Sequence, residues 1–299
     1  MPETNIVTMR RIGAAWESLR TRQWVKNVVV LAPVFFSGKL VDQQSLASAI
    51  LSMVCFCVAS SGAYLLNDLL DRRLDRFQPT KKHRPITSGK LPVTWAVGLI
   101  SVLVVGSFVL SITVHPRLAT ILVGYWLLNI LYSVLLKRFV ILDVLALSGG
   151  FVLRVWAGAV VLDLVPSHWL QLSMFFLALF LSLAKRRQEL VILHARALRH
   201  RGVLSDYSPA FIDQLTSILT AVSILCYALY SVSSEVTNRV GQFGFIATVP
   251  FVVYGVFRYL YLVHVRREAL DPTEAILSDR SLMVSVVLWI ACILLILYR

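Results

Sequence analysis

Three aspartates, Asp68, Asp71 and Asp75, follow one another at spacings of three and four residues, with Asn67 directly before the first. On a continuing helix those spacings place all three carboxylates on one face. Like charges in a stripe repel, and a divalent cation removes the penalty. Mg²⁺ suits such a stripe because it takes a few carboxylates and completes its shell with waters and substrate phosphates. The loop that follows is basic, carrying Arg76, Lys81, Lys82, Arg84 and Lys90. Carboxylates for a metal followed by cations for the remaining oxygens describe a site for a metal–diphosphate. The plainer reading is a solvated acidic helix end paired with Arg72, Arg73 and Arg76; such ends seldom align three carboxylates beside a membrane. His83 reads as a loop residue rather than a base.

Two further features have the types to meet an anion. Arg154 falls inside an apolar stretch, where a cation is costly and faces a cavity or a partner. It either pairs with Asp143 or Asp163 or contacts a phosphate. Tyr207, after Asp206, either reaches a phosphate or ribose hydroxyl or anchors the chain at the membrane interface.

The elements that must position these residues are membrane helices. The chain of 299 residues is 58% hydrophobic, and its mean hydropathy of +0.75 is far above that of a soluble domain. Nine apolar stretches are long enough to be read as spans, at 24–40, 45–66, 92–112, 117–135, 139–162, 169–184, 210–233, 243–264 and 282–298. The first contains Pro33 and the eighth Pro250 and Arg258. The expected fold is therefore an all-α integral membrane bundle of about nine transmembrane helices.

Residues 1–27, 67–91, 136–138, 185–209 and 265–281 hold 23 of the 29 lysines and arginines, and the opposite loops only Lys39, Arg117, Arg239 and Arg299. The positive-inside rule then places the N-terminus and the basic loops 67–91 and 185–209 in the cytoplasm, in a multi-pass protein of the inner (plasma) membrane. Topology thus accounts for the net charge of +13, and without a recognition module nothing points to nucleic acid. Residues 1–23 form a polar, basic segment with no cleavable signal. Ile12, Ala15, Trp16 and Leu19 suggest an amphipathic helix there, on the membrane surface. Residues 24–299 read as a single membrane domain whose two long loops suggest two loosely related halves facing one cavity. Cys55, Cys57, Cys226 and Cys292 lie in apolar spans and read as small core residues.

The N-D-x-x-D-x-x-x-D stretch of Asn67 to Asp75, followed by Arg84-Pro85-Ile86-Thr87-Ser88-Gly89, resembles the UbiA superfamily of membrane prenyltransferases. That resemblance implies an all-helical, Mg²⁺-dependent enzyme with Asp68, Asp71 and Asp75 as metal ligands and catalytic residues. Ordinary members carry a second motif, D-x-x-x-D, after the sixth span. Here Lys185-Arg186-Arg187-Gln188-Glu189-Leu190 stands in its place. Cations there cannot hold a metal but can hold a bare phosphate.

This departure resembles one branch, the decaprenyl-phosphate phosphoribosyltransferases. The similarity extends to Arg22-Gln23-Trp24-Val25-Lys26-Asn27, to Tyr132-Ser133 with Leu136-Lys137, and to Gly150 through Val155 with Ala157-Gly158. It implies phosphoribosyl diphosphate and a polyprenyl phosphate as substrates, with a product destined for arabinan cell-wall precursors. Lys185 joins the aspartates as a catalytic residue, and Lys26, Asn67, Lys82, Arg84, Lys137, Arg154, Arg186, Glu189 and Tyr207 are expected to bind substrate. An oligomer is compatible with this reading. An anionic phosphate is already a competent nucleophile, so no strong base is needed and the basic groups serve to position it. The alternative is an aromatic prenyltransferase using a prenyl diphosphate, which would want carboxylates near 185–189.

Overall fold

The computed structural model describes residues 2–78, 81–197, 206–265, 275 and 278–299. Among these residues all regular structure is helical. The helices are α1 (Pro2–Ser18), α2 (Ala32–Phe36), α3 (Gln43–Asp75), α4 (Val93–Val114), α5 (Pro116–Val134), α6 (Leu142–Val160), α7 (His168–Ala197), α8 (Pro209–Ser231), α9 (Ser234–Val240), α10 (Val249–His264) and α11 (Arg280–Tyr298). Eight helices among the described residues are long and apolar enough to cross a membrane, and the chain is a multi-pass membrane protein. Along α4, Val102, Val105, Val109 and Ile112 are exposed, the apolar surface that a helix in lipid requires.

The first predicted span takes another form. Residues Thr21–Leu31 make a 3-10 helix and Ala32–Phe36 a short α-helix. In a three-residue repeat side chains at i and i+3 eclipse, so Trp24, Asn27 and Val30 share a face. That face is turned to α3: Trp24 Nε1 donates to Ser61 Oγ at 3.0 Å, Asn27 Nδ2 donates to Ser60 Oγ at 3.1 Å, and Val30 is buried. Four valines, at 25 and 28–30, favour the departure because β-branched side chains are crowded in an α-helix.

The chain divides into two compact units, Met1–Phe139 with Leu153–Val165, and Val140–Val152 with Pro166–Arg299. In the first, α3 packs on α4, α5 and the 3-10 segment around a core that includes Val30, Phe56, Leu118, Leu122, Tyr125 and Trp126. Ala49, Ser52, Ala59, Ser60, Ser61, Gly62 and Ala63 are buried along α3; residues this small let helices approach closely where lipid offers no hydrophobic drive. At Gly158 the approach is closest, since a Cβ there would lie 1.8 Å from the Val30 carbonyl oxygen.

Asp42 caps α3 by accepting from the Ser45 amide at 3.0 Å. The helix then runs for 33 residues, roughly 50 Å at 1.5 Å per residue. A hydrocarbon layer is about 30 Å thick, so the aspartate stripe in the last turns extends past the apolar span.

In the second unit α7 packs on α8, and α10 on α8 and α11. Phe180, Leu183, Ile212, Tyr259 and Leu262 are central to its core. Arg258, a cation within the predicted eighth span, has a structural partner: it donates to both Asp279 oxygens at 3.1 and 2.8 Å, while Asp279 caps α11 through the Leu282 amide. The four cysteines are free, with Cys55, Cys57 and Cys226 buried.

The N-terminal helix divides its apolar residues between two edges. Ala15 and Leu19 pack with Ala14 against Leu65 and Ile86, while Met9, Ile12 and Trp16 are exposed.

Candidate active site

In the first unit, the last turns of α3 bring the three aspartates to the basic residues around them. Asp68 and Asp75 are almost fully buried. Their oxygens converge on a single nitrogen: Arg84 Nη1 is 2.9 Å from Asp68 Oδ1 and 2.6 Å from Asp75 Oδ2. Lys81 Nζ lies 3.8 Å from the other Asp75 oxygen. Asp71 is met from the 3-10 turn Leu136–Arg138 that follows α5, where Lys137 Nζ donates to Asp71 Oδ1 at 2.5 Å and to Asn67 Oδ1 at 3.3 Å. Six of the predicted residues, Asn67, Asp68, Asp71, Asp75, Arg84 and Lys137, thus cluster around the last turns of α3. Lys82 is exposed beside it and Lys26 is half-buried on the 3-10 segment.

The donor set fits Mg²⁺. One cationic nitrogen already lies between two carboxylates, and hard oxygens of this kind are what the ion prefers. Among the described residues no three His, Cys, Asp or Glu side chains form a ready-made metal group. An ion held here would rely on waters and on a substrate's phosphate oxygens, as Mg²⁺ ordinarily does.

One member of the cluster has no counterpart in the sequence reading. Arg20 Nη2 is 2.7 Å from both oxygens of Asp68, and its guanidinium lies over the Tyr64 ring, 5.4 Å from the centroid. Forty-eight residues separate the pair, so no helical period could expose it.

Arg154 is buried in α6, donating from Nε to Asn27 Oδ1 at 2.7 Å and from Nη2 to the Tyr125 hydroxyl at 3.1 Å, with its guanidinium over the Tyr125 ring. Of the acids considered as its partners, Asp163 meets Arg117 at 3.4 Å, and Asp143 takes part in a cluster of the second unit.

In that cluster Arg186 bridges two carboxylates, through Nε to Asp143 Oδ2 at 2.9 Å and through Nη1 to Glu189 Oε2 at 2.8 Å. Tyr207 donates its hydroxyl to Asp143 Oδ1 at 2.8 Å and accepts the Ile141 amide at 2.8 Å. Ile141 has a φ of 70°, unusual for a β-branched residue and sustained only where the surroundings hold it. Burial pushes the Tyr207 phenol up, so it stays a donor at neutral pH. The structure therefore brings Arg186, Glu189 and Tyr207 together around Asp143. Lys185 is half-buried one residue away on α7. Arg187 turns to Asp213 on α8, which His264 of α10 also meets at 3.2 Å.

An all-helical membrane fold with an aspartate stripe at the end of its longest helix defines a class, and sequence comparison identifies it. Residues 29–275 match the model of the UbiA prenyltransferase family, and the chain belongs to that family. It is a membrane transferase. It is 31% identical to the decaprenyl-phosphate phosphoribosyltransferase of Mycolicibacterium smegmatis, over 93% of this chain and 90% of that protein. Identity to the Corynebacterium glutamicum protein of the same name is 32%, over 94% of this chain and 86% of the other. Among solved structures, a UbiA homologue from Archaeoglobus fulgidus bound to DMAPP and Mg²⁺ is similar with a TM-score of 0.71 at 17% identity, over 95% of this chain and 99% of that one. At that identity the likeness establishes the fold.

Proposed function

We propose that this transferase moves a 5-phosphoribosyl group from phosphoribosyl diphosphate to a polyprenyl phosphate, giving polyprenylphosphoryl-5-phosphoribose and diphosphate. The observation that carries the reading is Arg186. Where ordinary members of the family carry a second aspartate motif, this chain sets a buried guanidinium between Asp143 and Glu189, beside Lys185. A cation already stands where a second metal would be wanted, which suits an acceptor that brings its own negative charge. Near-full-length similarity to the two phosphoribosyltransferases supports the same choice.

Asp68, Asp71 and Asp75 would hold Mg²⁺, which when bound neutralises the diphosphate and favours its departure. Arg84, Lys82 and Lys137 would bind diphosphate oxygens and orient the donor, and Asn67 would fix Lys137. The acceptor phosphate attacks the anomeric carbon as an anion, inverting it, with Lys185 and Arg186 as its proposed binding groups and no proton to remove. Excess lysine and arginine in the loops bearing these residues supports a cytoplasmic N-terminus and active site at the plasma membrane.

Product analysis tests the reading. Purified protein with Mg²⁺ is given either phosphoribosyl diphosphate and a polyprenyl phosphate or a prenyl diphosphate and an aromatic acceptor. A phosphoribosylated lipid from the first pair and nothing from the second is expected. A prenylated aromatic product alone would assign the chain to the other branch.

A further inference from the structure

We infer that Arg20 is a positioning residue of the metal site: its guanidinium holds Asp68 while the metal is absent and yields that carboxylate when the metal arrives with a diphosphate. The inference rests on the metal–diphosphate reading above and adds a residue and a sequence of events to it.

Asp68 is almost fully buried, its side chain only 4% exposed, against 28% for Arg20. A buried carboxylate needs a cation. Arg20 supplies one through a single nitrogen, Nη2, that bonds both carboxylate oxygens at 2.7 Å. A metal that takes both oxygens from the side this nitrogen occupies must displace it, since the two compete for the same lone pairs. Arg84 leaves the site differently constrained, because its Nη1 is shared between Asp68 and Asp75.

The backbone at Arg20 indicates that its placement is imposed. It is a left-handed residue, φ 53° and ψ 49°, standing between α1 and the 3-10 segment. A side chain other than glycine takes that conformation at an energetic cost and keeps it only where neighbours enforce it. Ser61 Oγ on α3 meets it on both sides: its one proton is shared between the Leu19 and Cys57 carbonyls, each at 2.9 Å, and it accepts from Trp24 Nε1 at 3.0 Å. The same turn of the chain that α3 fixes thus delivers the guanidinium to an aspartate two helical turns further along α3. Displaced from Asp68, the guanidinium remains tethered there with its charge intact, available to the anion that accompanies the metal.

This arrangement has a signature that a purely structural salt bridge lacks. Arg20 opposes the bare metal, by competition and by charge, and favours the metal–diphosphate. Removing it should shift the two affinities in opposite directions.

The experiment measures Mn²⁺ binding to the purified full-length protein by the electron paramagnetic resonance signal of free Mn²⁺, with and without inorganic diphosphate. Arg20→Gly is the main variant, since glycine adopts the positive φ freely and leaves the kink in place. We expect this variant to bind Mn²⁺ alone several-fold more tightly than wild type, and Mn²⁺ with diphosphate several-fold more weakly. Arg20→Lys, which keeps the charge but loses the fork, should show the same opposed shifts at smaller size and serves if the glycine variant does not fold. Shifts of the same sign in both conditions, or no shift in either, would overturn the role of Arg20 while leaving the metal site standing. Failure of wild type and variants alike to bind Mn²⁺, with or without diphosphate, would instead remove the metal–diphosphate reading and this inference with it.

Discussion

Tyr207 donates its hydroxyl to Asp143 at 2.8 Å across 64 residues of chain. The bond links the residue that leads into α8 to the first turn of α6, and through Asp143 it reaches Arg186 on α7. Asp143→Ala would take from a buried guanidinium one of the two carboxylates it bridges, and breaking a buried pair in this way costs up to about 3–5 kcal/mol. Tyr207→Phe removes a donor to that carboxylate and the acceptor of the Ile141 amide and should cost about 1–3 kcal/mol. Thermal unfolding in detergent should therefore rank Asp143→Ala below Tyr207→Phe, and equal melting temperatures would show that Arg186 does not depend on Asp143.

At the proposed metal site, Asp68→Ala and Asp71→Ala should each abolish turnover and leave the protein folded, because each removes an oxygen donor from the stripe. EDTA should silence the wild-type enzyme, and Mg²⁺ or Mn²⁺ should restore it. Undiminished product formation in a metal-free buffer is the result these residues could not accommodate.

Charge reversal at Lys185 addresses the second motif. If Lys185 meets the acceptor phosphate as proposed, replacing it by a group of like charge to that anion costs about 2–5 kcal/mol, so Lys185→Asp should reduce phosphoribosyl transfer about thirtyfold to five-thousandfold by the same energies. A Lys185→Asp, Glu189→Asp double variant with wild-type transfer would reduce the loop to a topogenic basic patch.

Gly158 offers a test of the packing beneath the site. A methyl group there would meet the Val30 carbonyl oxygen at 1.8 Å, whereas one at Gly62 meets a side chain, the outer edge of the buried Trp126 ring, Cη2, at 2.8 Å. Gly158→Ala should push the 3-10 segment away and loosen Asn27 from Arg154, with a larger loss of melting temperature than Gly62→Ala. The reverse order would mean that the segment is not held against α6 as described.

Much of the site was legible because it is local. The spacing of Asp68, Asp71 and Asp75 is a property of a helix face, and Arg84 lies in a motif that follows it directly. Fold class was legible too, since apolar runs of span length repeat along the chain. What remained hidden is pairing at long range. Asp143 could be considered only as a partner for Arg154, yet it meets Arg186, 43 residues away; Arg20 reads as one more charge on a basic segment, until a left-handed kink turns it onto Asp68. The first span was visible as hydropathy alone. Its three-residue periodicity at Trp24, Asn27 and Val30 carries the difference between a spanning α-helix and the 3-10 segment observed, and a hydropathy window averages that signal away.

In the proposed reaction the bond broken joins the ribose to a diphosphate held at the aspartate stripe. This is tested most directly by the fate of two labels, with phosphoribosyl diphosphate carrying one isotope in the ribose and another in the β-phosphorus, incubated with enzyme, Mg²⁺ and polyprenyl phosphate. Ribose label is expected in the lipid phase, matched mole for mole by β-phosphorus label in inorganic diphosphate, with all other β-phosphorus label in aqueous phosphoribosyl diphosphate. β-Phosphorus label in the lipid, or no ribose label there at all, would contradict it.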